Sequence, residues 1–189
     1  MAKRRLAILL SGRGSNMQAL VAAAQAPSAA FEIALIASDK PDAPGIGWAT
    51  EQGLPTFTHA GATTAKAEHE AAIDTALQAA GAEFVALAGY MRILSGDFVA
   101  RWAGRILNIH PSLLPKYKGL NTHARAIDAG DKVAGCSVHI VTEALDAGEV
   151  LGRAVVPILP GDTAEALAAR VLVAEHRLYP RLVSEYVTR

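Results

Sequence analysis

One cysteine in 189 residues cannot form a disulfide within the chain, and neither Cys136 nor the six histidines fall at the paired spacings of a zinc site. A reducing, cytoplasmic setting without a metal is the expectation. Long apolar runs are missing too. The run at 6–10, behind a basic start, is five residues, short of the roughly 7–15 of a signal peptide's apolar stretch, and nothing approaches the ~18 of a membrane span. Nor is there an excess of either charge, with 18 Lys+Arg against 18 Asp+Glu. A protein that tracks nucleic-acid phosphates carries a basic face, so neither nucleic acid nor membrane is an expected partner. Any anion must be held locally.

What is present is apolar material. With 51% hydrophobic residues the chain can build a core and is not disordered, and its length without a linker reads as a single domain over 1–189. Short apolar runs without alternation recur at 6–10, 32–37, 83–88 and 105–109, as in strands buried on both faces of a parallel sheet. Between them, 16–26, 46–52 and 64–80 have helical spacing. This βαβα order predicts an α/β fold with a doubly wound, mostly parallel sheet. After His110 the pattern changes: 135–141 and 149–158 read as two antiparallel strands, and 163–189 as a closing helix with a bend at Pro180 and a cap formed by Asp162 with Glu165.

Three places carry candidate chemistry. The turn Ser11-Gly12-Arg13-Gly14-Ser15-Asn16 lies between the first strand and first helix, where backbone N–H groups and the positive end of a helix can hold a phosphate. It lacks the Gly-Lys-Ser/Thr of a Walker loop, and Met17 fills the third glycine position of a dinucleotide fingerprint, which favours a phosphomonoester. On spacing alone it is equally an ordinary glycine-rich turn. Asn108 and His110, at i and i+2 on a strand ended by Pro111, share a face. There an amide can donate to an oxyanion and an imidazole can move a proton, although the pattern alone favours a merely hydrogen-bonded strand-end histidine at His110. The turn 145–148 carries Asp146, which beside His110 would orient the ring and favour its protonated form, or else is only a turn residue. His59, His69 and His139 read as structural or solvated, and His123 as a helix cap or a neighbour of the site.

The stretch HPSLLPKYKG at 110–119, preceded by Asn108 and followed by LDAG at 145–148, resembles the folate-dependent formyltransferase family. SGRGSNMQAL at 11–20, AGYMRIL at 88–94 and AEHRLYP at 174–180 resemble its purine-synthesis branch, so the match spans essentially the whole chain, with residues 40–80 carrying little of it. The resemblance implies a Rossmann-type formyltransferase fold and transfer of a formyl group, without metal, from 10-formyltetrahydrofolate as co-substrate to the amine of 5-phosphoribosylglycinamide. It implies catalytic roles for Asn108, His110 and Asp146, and contact of Gly14, Ser15, Asn16 and Glu175 with the phosphoribosyl substrate. The folate would meet Met91, Arg92, Ile93, Leu94 and Asn108, with Thr142, Glu143, Ala144, Leu145 and Asp146 opposite. Lys66 stands where some members carry an arginine, and could meet a glutamate carboxylate only as a point charge.

The expected partners are these small molecules, for a monomer or homodimer. A formyltetrahydrofolate hydrolase would keep the same three residues but would not need the phosphate turn, and usually adds a regulatory domain ahead of the fold. A tRNA formyltransferase usually adds a nucleic-acid-binding domain behind it. Neither extension is expected here. Outside the family, a nucleotide- or dinucleotide-binding protein is the alternative that the fold allows and Met17 disfavours.

Overall fold

The computed structural model describes residues 2–189; Met1, the first residue of the expected domain, lies outside the described residues. In chain order the elements are β1 (Arg4–Leu10), α1 (Ser15–Ala24), β2 (Phe31–Ser38), α2 (Pro44–Glu51), β3 (Thr56–Thr58), α3 (Lys66–Ala79), β4 (Phe84–Leu87), α4 (Gly96–Arg101), β5 (Ile106–His110), α5 (Thr122–Asp128), β6 (Val133–Ile140), β7 (Val150–Pro157) and α6 (Ala164–Val187). The strands form one seven-stranded sheet in the order β3-β2-β1-β4-β5-β6-β7. β1 to β5 pair in parallel, while β6 runs antiparallel to β5 and β7 antiparallel to β6. The α/β reading and the antiparallel C-terminal part are therefore both observed.

The unalternating strands are explained by where their side chains go. Along β1, Leu6, Ile8 and Leu10 pack into one core with α1, α2 and α6, whereas Ala7 and Leu9 pack into a second with α3 and α4. All five are fully buried, because successive side chains leave opposite faces and both faces are covered. α6 crosses the first core, and its fully buried Tyr179 is tied to the sheet by its hydroxyl, which lies 3.0 Å from the Leu87 carbonyl and 2.9 Å from that of Leu107. No helix among the described residues is long and apolar enough to cross a membrane.

One local expectation at α6 is revised. Its N-cap is Thr163, whose extended backbone lets the side chain accept from the Ala166 N–H at 3.2 Å. Asp162, one residue earlier, instead accepts from the Leu159 N–H at 2.7 Å and from the two terminal guanidinium nitrogens of Arg170, Nη1 and Nη2, at 2.8 and 3.0 Å. The helix is one element through Pro180, from Ala164 to Val187. β3, α4 and α5, of 3, 6 and 7 residues, are too short for a period to show in the sequence.

Because β1 lies between β2 and β4, the chain's direction across the sheet reverses there. Ligands of open α/β sheets bind outside the carboxyl ends of the strands at such a point. Here the carboxyl ends of β1, β4 and β5 deliver the 11–14 turn, the 88–94 segment and the Asn108–Pro111 corner to one edge.

Candidate active site

That edge holds a cavity of about 600 Å³ whose lining includes Asn16, the segment Gly89–Leu94, Asn108–Pro111, Gly119–His123, His139, Val141–Glu143, Leu145, Asp146 and Glu175. A second groove, about 720 Å³ between α3 and the β2–β3 edge, is lined by Leu35, Phe57, alanines and threonines and has no titratable group among its lining.

Asp146 is the centre of the polar end. Its Oδ2 lies 3.3 Å from His110 Nδ1 and accepts from the Gly119 N–H at 2.9 Å, while its Oδ1 lies 3.5 Å from His139 Nε2. One carboxylate thus joins two imidazoles and pins the loop after Pro111 to the loop after β6. Asp146 sits at φ +46°, in the left-handed region that Asp tolerates better than most residues. Gly148 serves a different need: a Cβ there would lie 1.8 Å from the Ile140 carbonyl oxygen, so only glycine lets the turn close on β6. Burial would raise the Asp146 pKa. The hydrogen bond with His139, the Gly119 N–H and the fields of His110 and His139 outweigh it and hold the carboxyl below its ordinary value.

His110 Nε2 lies 3.0 Å from the Tyr117 carbonyl, so both ring nitrogens face acceptors. Asn108 stands directly opposite His139 in the β5–β6 pairing, and its Nδ2 is 3.1 Å from His139 Nε2. His139 Nδ1 lies 3.0 Å from the Ile140 carbonyl, which can only accept, so that nitrogen is a donor, and Nε2 faces both the Asn108 amide and Asp146 Oδ1: a neutral ring accepts there from Asn108, a protonated ring donates there to Asp146. This leaves Asn108 a second N–H to offer. The corner beneath is fixed by buried hydroxyls: Ser137 Oγ donates to the Ser112 carbonyl at 2.7 Å and accepts from the Leu114 N–H at 3.0 Å, and Thr122 donates to the Pro111 carbonyl at 2.7 Å.

The second polar end lies between α1 and α6. Asn16 Nδ2 donates to Glu175 Oε2 at 2.6 Å, both residues being buried. Burial pushes the Glu175 pKa above its ordinary value against the lowering pull of Asn16. Among the described residues, Asn16 Oδ1 and His123 Nδ1 are buried without a partner, and both residues line the cavity. Burial, then the field of His110, holds the His123 pKa below its ordinary value. Gly14 is the N-cap of α1 at φ +76°, and a Cβ there would lie 2.9 Å from Met17 Cε, so the methionine that replaces the third fingerprint glycine fills the space beneath the turn. Cys136, buried on β6, has its thiol pushed up to about 12 by burial, then by Glu175, against the backbone bond of Ala154, so it is no nucleophile at neutral pH.

Much of the remaining lining is apolar. Met91, Ile93, Leu120 and Leu145 line it while 67, 66, 74 and 53% exposed, side chains that a flat ring system could cover. Of the residues singled out in the sequence, Asn108, His110, Asp146, Asn16, Glu175, Met91, Arg92, Ile93, Leu94, Thr142, Glu143 and Leu145 all line this space. Lys66, Ala144, Gly14 and Ser15 are outside its lining; Lys66 is an exposed residue at the start of α3, and Gly14 and Ser15 form the start of α1. The Arg92 guanidinium turns back to donate to the Gly61 carbonyl at 2.7 Å.

His139, read from sequence as structural or solvated, belongs to the site. Its signal was its register opposite Asn108, which emerges only once β5 and β6 are paired. His123 is not the helix cap, because Asn121 occupies that position, and it stands in the cavity lining. Among the described residues, no group of three His, Cys, Asp or Glu is placed to hold a metal ion.

Residues 4–183 match the family described as formyl transferase. The phosphoribosylglycinamide formyltransferase of Escherichia coli (strain K12) is 42% identical over 180 residues, covering 95% of this chain and 85% of that protein. The trifunctional purine biosynthetic protein adenosine-3 of Bos taurus is 45% identical over 180 residues, but the chain spans only 18% of its length. The crystal structure of the phosphoribosylglycinamide formyltransferase of Brucella melitensis superposes with a TM-score of 0.94 at 52% identity, covering 100% of this chain and 97% of that one.

Proposed function

This chain belongs to the formyl transferase family, and from that premise we propose that it transfers the formyl group of 10-formyltetrahydrofolate to the amine of 5-phosphoribosylglycinamide, as a step of purine synthesis. The observation that carries the reading is the Asp146 carboxylate joined to His110 and His139 opposite Asn108, in a cavity that also holds the Asn16–Glu175 pair and exposed apolar side chains. The unpartnered Asn16 Oδ1 and His123 Nδ1 fit a polar ligand, and the exposed Met91, Ile93 and Leu145 fit a flat ring.

The folate would supply the formyl carbon and leave as tetrahydrofolate. At that carbon, attack by a neutral amine places negative charge on the formyl oxygen, and the free N–H of Asn108 is the donor for it. A proton must also travel from the attacking nitrogen towards the leaving N10. His110 is the group to carry it, exchanging its hydrogen bond with the Tyr117 carbonyl for one with the substrate. Asp146 keeps that ring oriented through Nδ1 and, being held ionised, stabilises its protonated form during transfer. Glu175 can accept from ribose hydroxyls, while the Gly14–Asn16 turn at the start of α1 offers N–H groups to the phosphate. The folate would lie against Met91–Leu94 and against Thr142, Glu143, Leu145 and Asp146, which line the cavity, with Ala144 in the same loop outside the lining and Lys66 a further candidate, for a glutamate carboxylate.

This assignment needs only small-molecule partners and a cytoplasmic setting, and places the whole site in one chain, so that monomer and homodimer would both be active. The test is an assay with 10-formyltetrahydrofolate in the presence and absence of phosphoribosylglycinamide. Tetrahydrofolate appearing only with the amine is the expected result; equal release without it would make the protein a hydrolase.

A further inference from the structure

The wall formed by residues 90–95 is tied down from behind at every polar position. Met91 donates its N–H to Ser11 Oγ at 2.8 Å, Arg92 donates to the Gly61 carbonyl at 2.7 Å, and Ser95 donates its N–H to Glu70 Oε1 at 2.7 Å, with its hydroxyl also on Glu70. Exposure follows this alternation. Met91 and Ile93 are 67 and 66% exposed in the cavity, whereas the polar tips of Tyr90 and Arg92, which also line it, are engaged by His69 and the Gly61 carbonyl.

The Tyr90 anchor is unusual in its chemistry. Its hydroxyl lies 2.7 Å from Nε2 of His69, whose Nδ1 lies 3.2 Å from Nδ1 of His59. His69 is fully buried on α3, and none of this triad is explained by the proton transfer at Asp146. A neutral imidazole is one donor and one acceptor, so His69 can bridge a phenol and a second imidazole with one proton in each link. A leucine there would satisfy neither. His59 is in turn fixed to β2, its N–H donating to the Ser38 carbonyl at 3.1 Å, and Gly61 donates its own N–H to the Asp39 carbonyl at 2.9 Å.

We propose that His69 is a positioning residue for the folate half of the cavity, holding Tyr90 and hence the Met91–Ile93 wall through the chain His59–His69–Tyr90. The inference rests on the reading that this wall receives the folate ring. Burial, then the fields of Arg92 and His59, holds the His69 pKa below its ordinary value against the pull of Asp39 and Glu70, which suits a neutral bridging ring. His69 touches no reacting atom, so its loss should alter folate recognition and leave the chemical step alone.

The experiment compares Tyr90→Phe, His69→Leu and His69→Gln with the wild-type protein. Tyr90→Phe deletes one oxygen and should raise the KM for 10-formyltetrahydrofolate about fivefold, the worth of one hydrogen bond, with kcat and the KM for phosphoribosylglycinamide within about twofold of wild type. His69→Leu should give a larger rise of the same selectivity, and His69→Gln, which keeps a donor and an acceptor, should recover most of it. Where His69→Leu fails to fold, Tyr90→Phe and His69→Gln decide. An unchanged folate KM in Tyr90→Phe, or kcat and both KM values moving together, overturns the proposal. The wild-type assay separates this from the function itself: absence of transfer sinks the transferase reading, and the Kd of a non-reactive 10-formyl folate analogue across the same variants then tests the positioning. No binding of that analogue by wild type overturns both.

Discussion

Asp146 and Glu175 line one cavity, and the protein treats their charges in opposite ways. Asp146 is met by two imidazoles and a backbone N–H, which hold it ionised despite burial. Glu175 has a single hydrogen bond from Asn16, and burial leaves its charge under-compensated. Each carboxylate is also linked to an asparagine, Asp146 to Asn108 through the shared His139 and Glu175 to Asn16 directly. The difference teaches what each end is for. A group that must steady a proton carrier through a reaction is fully paired in advance, whereas a group that waits for ligand hydroxyls keeps unmet hydrogen-bonding capacity until the ligand arrives.

The two asparagines give the largest test of this contrast. Asn108→Ala removes a donor needed only as charge develops in the transition state, so kcat should fall roughly a hundredfold or more with both KM values little changed. Asn16→Ala should do the reverse, raising the KM for phosphoribosylglycinamide about tenfold while kcat stays within a few-fold of wild type. Steady-state kinetics in both substrates checks this, with melting curves confirming that each variant is folded. If Asn16→Ala lowers kcat as strongly as Asn108→Ala, the division between a reacting end and a binding end is wrong.

Asp146→Asn is next in size and isolates charge, because Asn tolerates the φ of +46° about as well as Asp. The Asp146 pKa is depressed in the folded protein, so its ionised form adds stability above the ordinary carboxylate pKa. That contribution is lost as pH falls through the depressed folded value. The variant should therefore be less stable than wild type at pH 7 by on the order of 2 kcal/mol, with the deficit shrinking in acid below the carboxylate range. Denaturant titrations at several pH values measure it. A deficit independent of pH would mean that lost packing, and not charge, is the cause.

These ends were not equally legible in the sequence. Asn108 and His110 announced themselves, because i and i+2 on a strand must share a face and Pro111 marks the strand's end. The parallel strands were legible for a related reason, since burial on both faces removes alternation, and it is this that makes the run at 6–10 unbroken. The contact of Asp146 with His110 could not be read, because it depends on how two loops from different strands close over one another. His139 was missed because its role comes from register across β5 and β6, and His69 because its partners, His59 and Tyr90, lie 10 and 21 residues away in the loops after β3 and β4. Asp162 was misassigned as the helix cap because an acidic residue and a threonine stand side by side there, and only the backbone angles select Thr163.

Glu175→Gln carries the smallest expected effect and the sharpest sign. The Glu175 pKa is raised in the folded protein, so protonated Glu175 is the form that folding favours. Stability is therefore highest in acid and declines as pH rises from the ordinary carboxylate value through the folded one. Glutamine keeps the shape, can still accept from Asn16 and carries no charge to desolvate. At pH 7 the unliganded variant should gain stability on the order of 1 kcal/mol over wild type, and the gain should vanish below the carboxylate range, opposite in sign to Asp146→Asn. The same change should raise the KM for phosphoribosylglycinamide several-fold, because a neutral amide is a weaker acceptor for ribose hydroxyls than a carboxylate. Denaturation of the free protein at acid and neutral pH, paired with kinetics, measures both. A variant that is more stable and binds its substrate less well would show Glu175 to be a charge maintained for the ligand at the expense of the fold. A variant destabilised at pH 7 would place Glu175 beside Asp146 as a structural anion, and the contrast between the two ends would collapse.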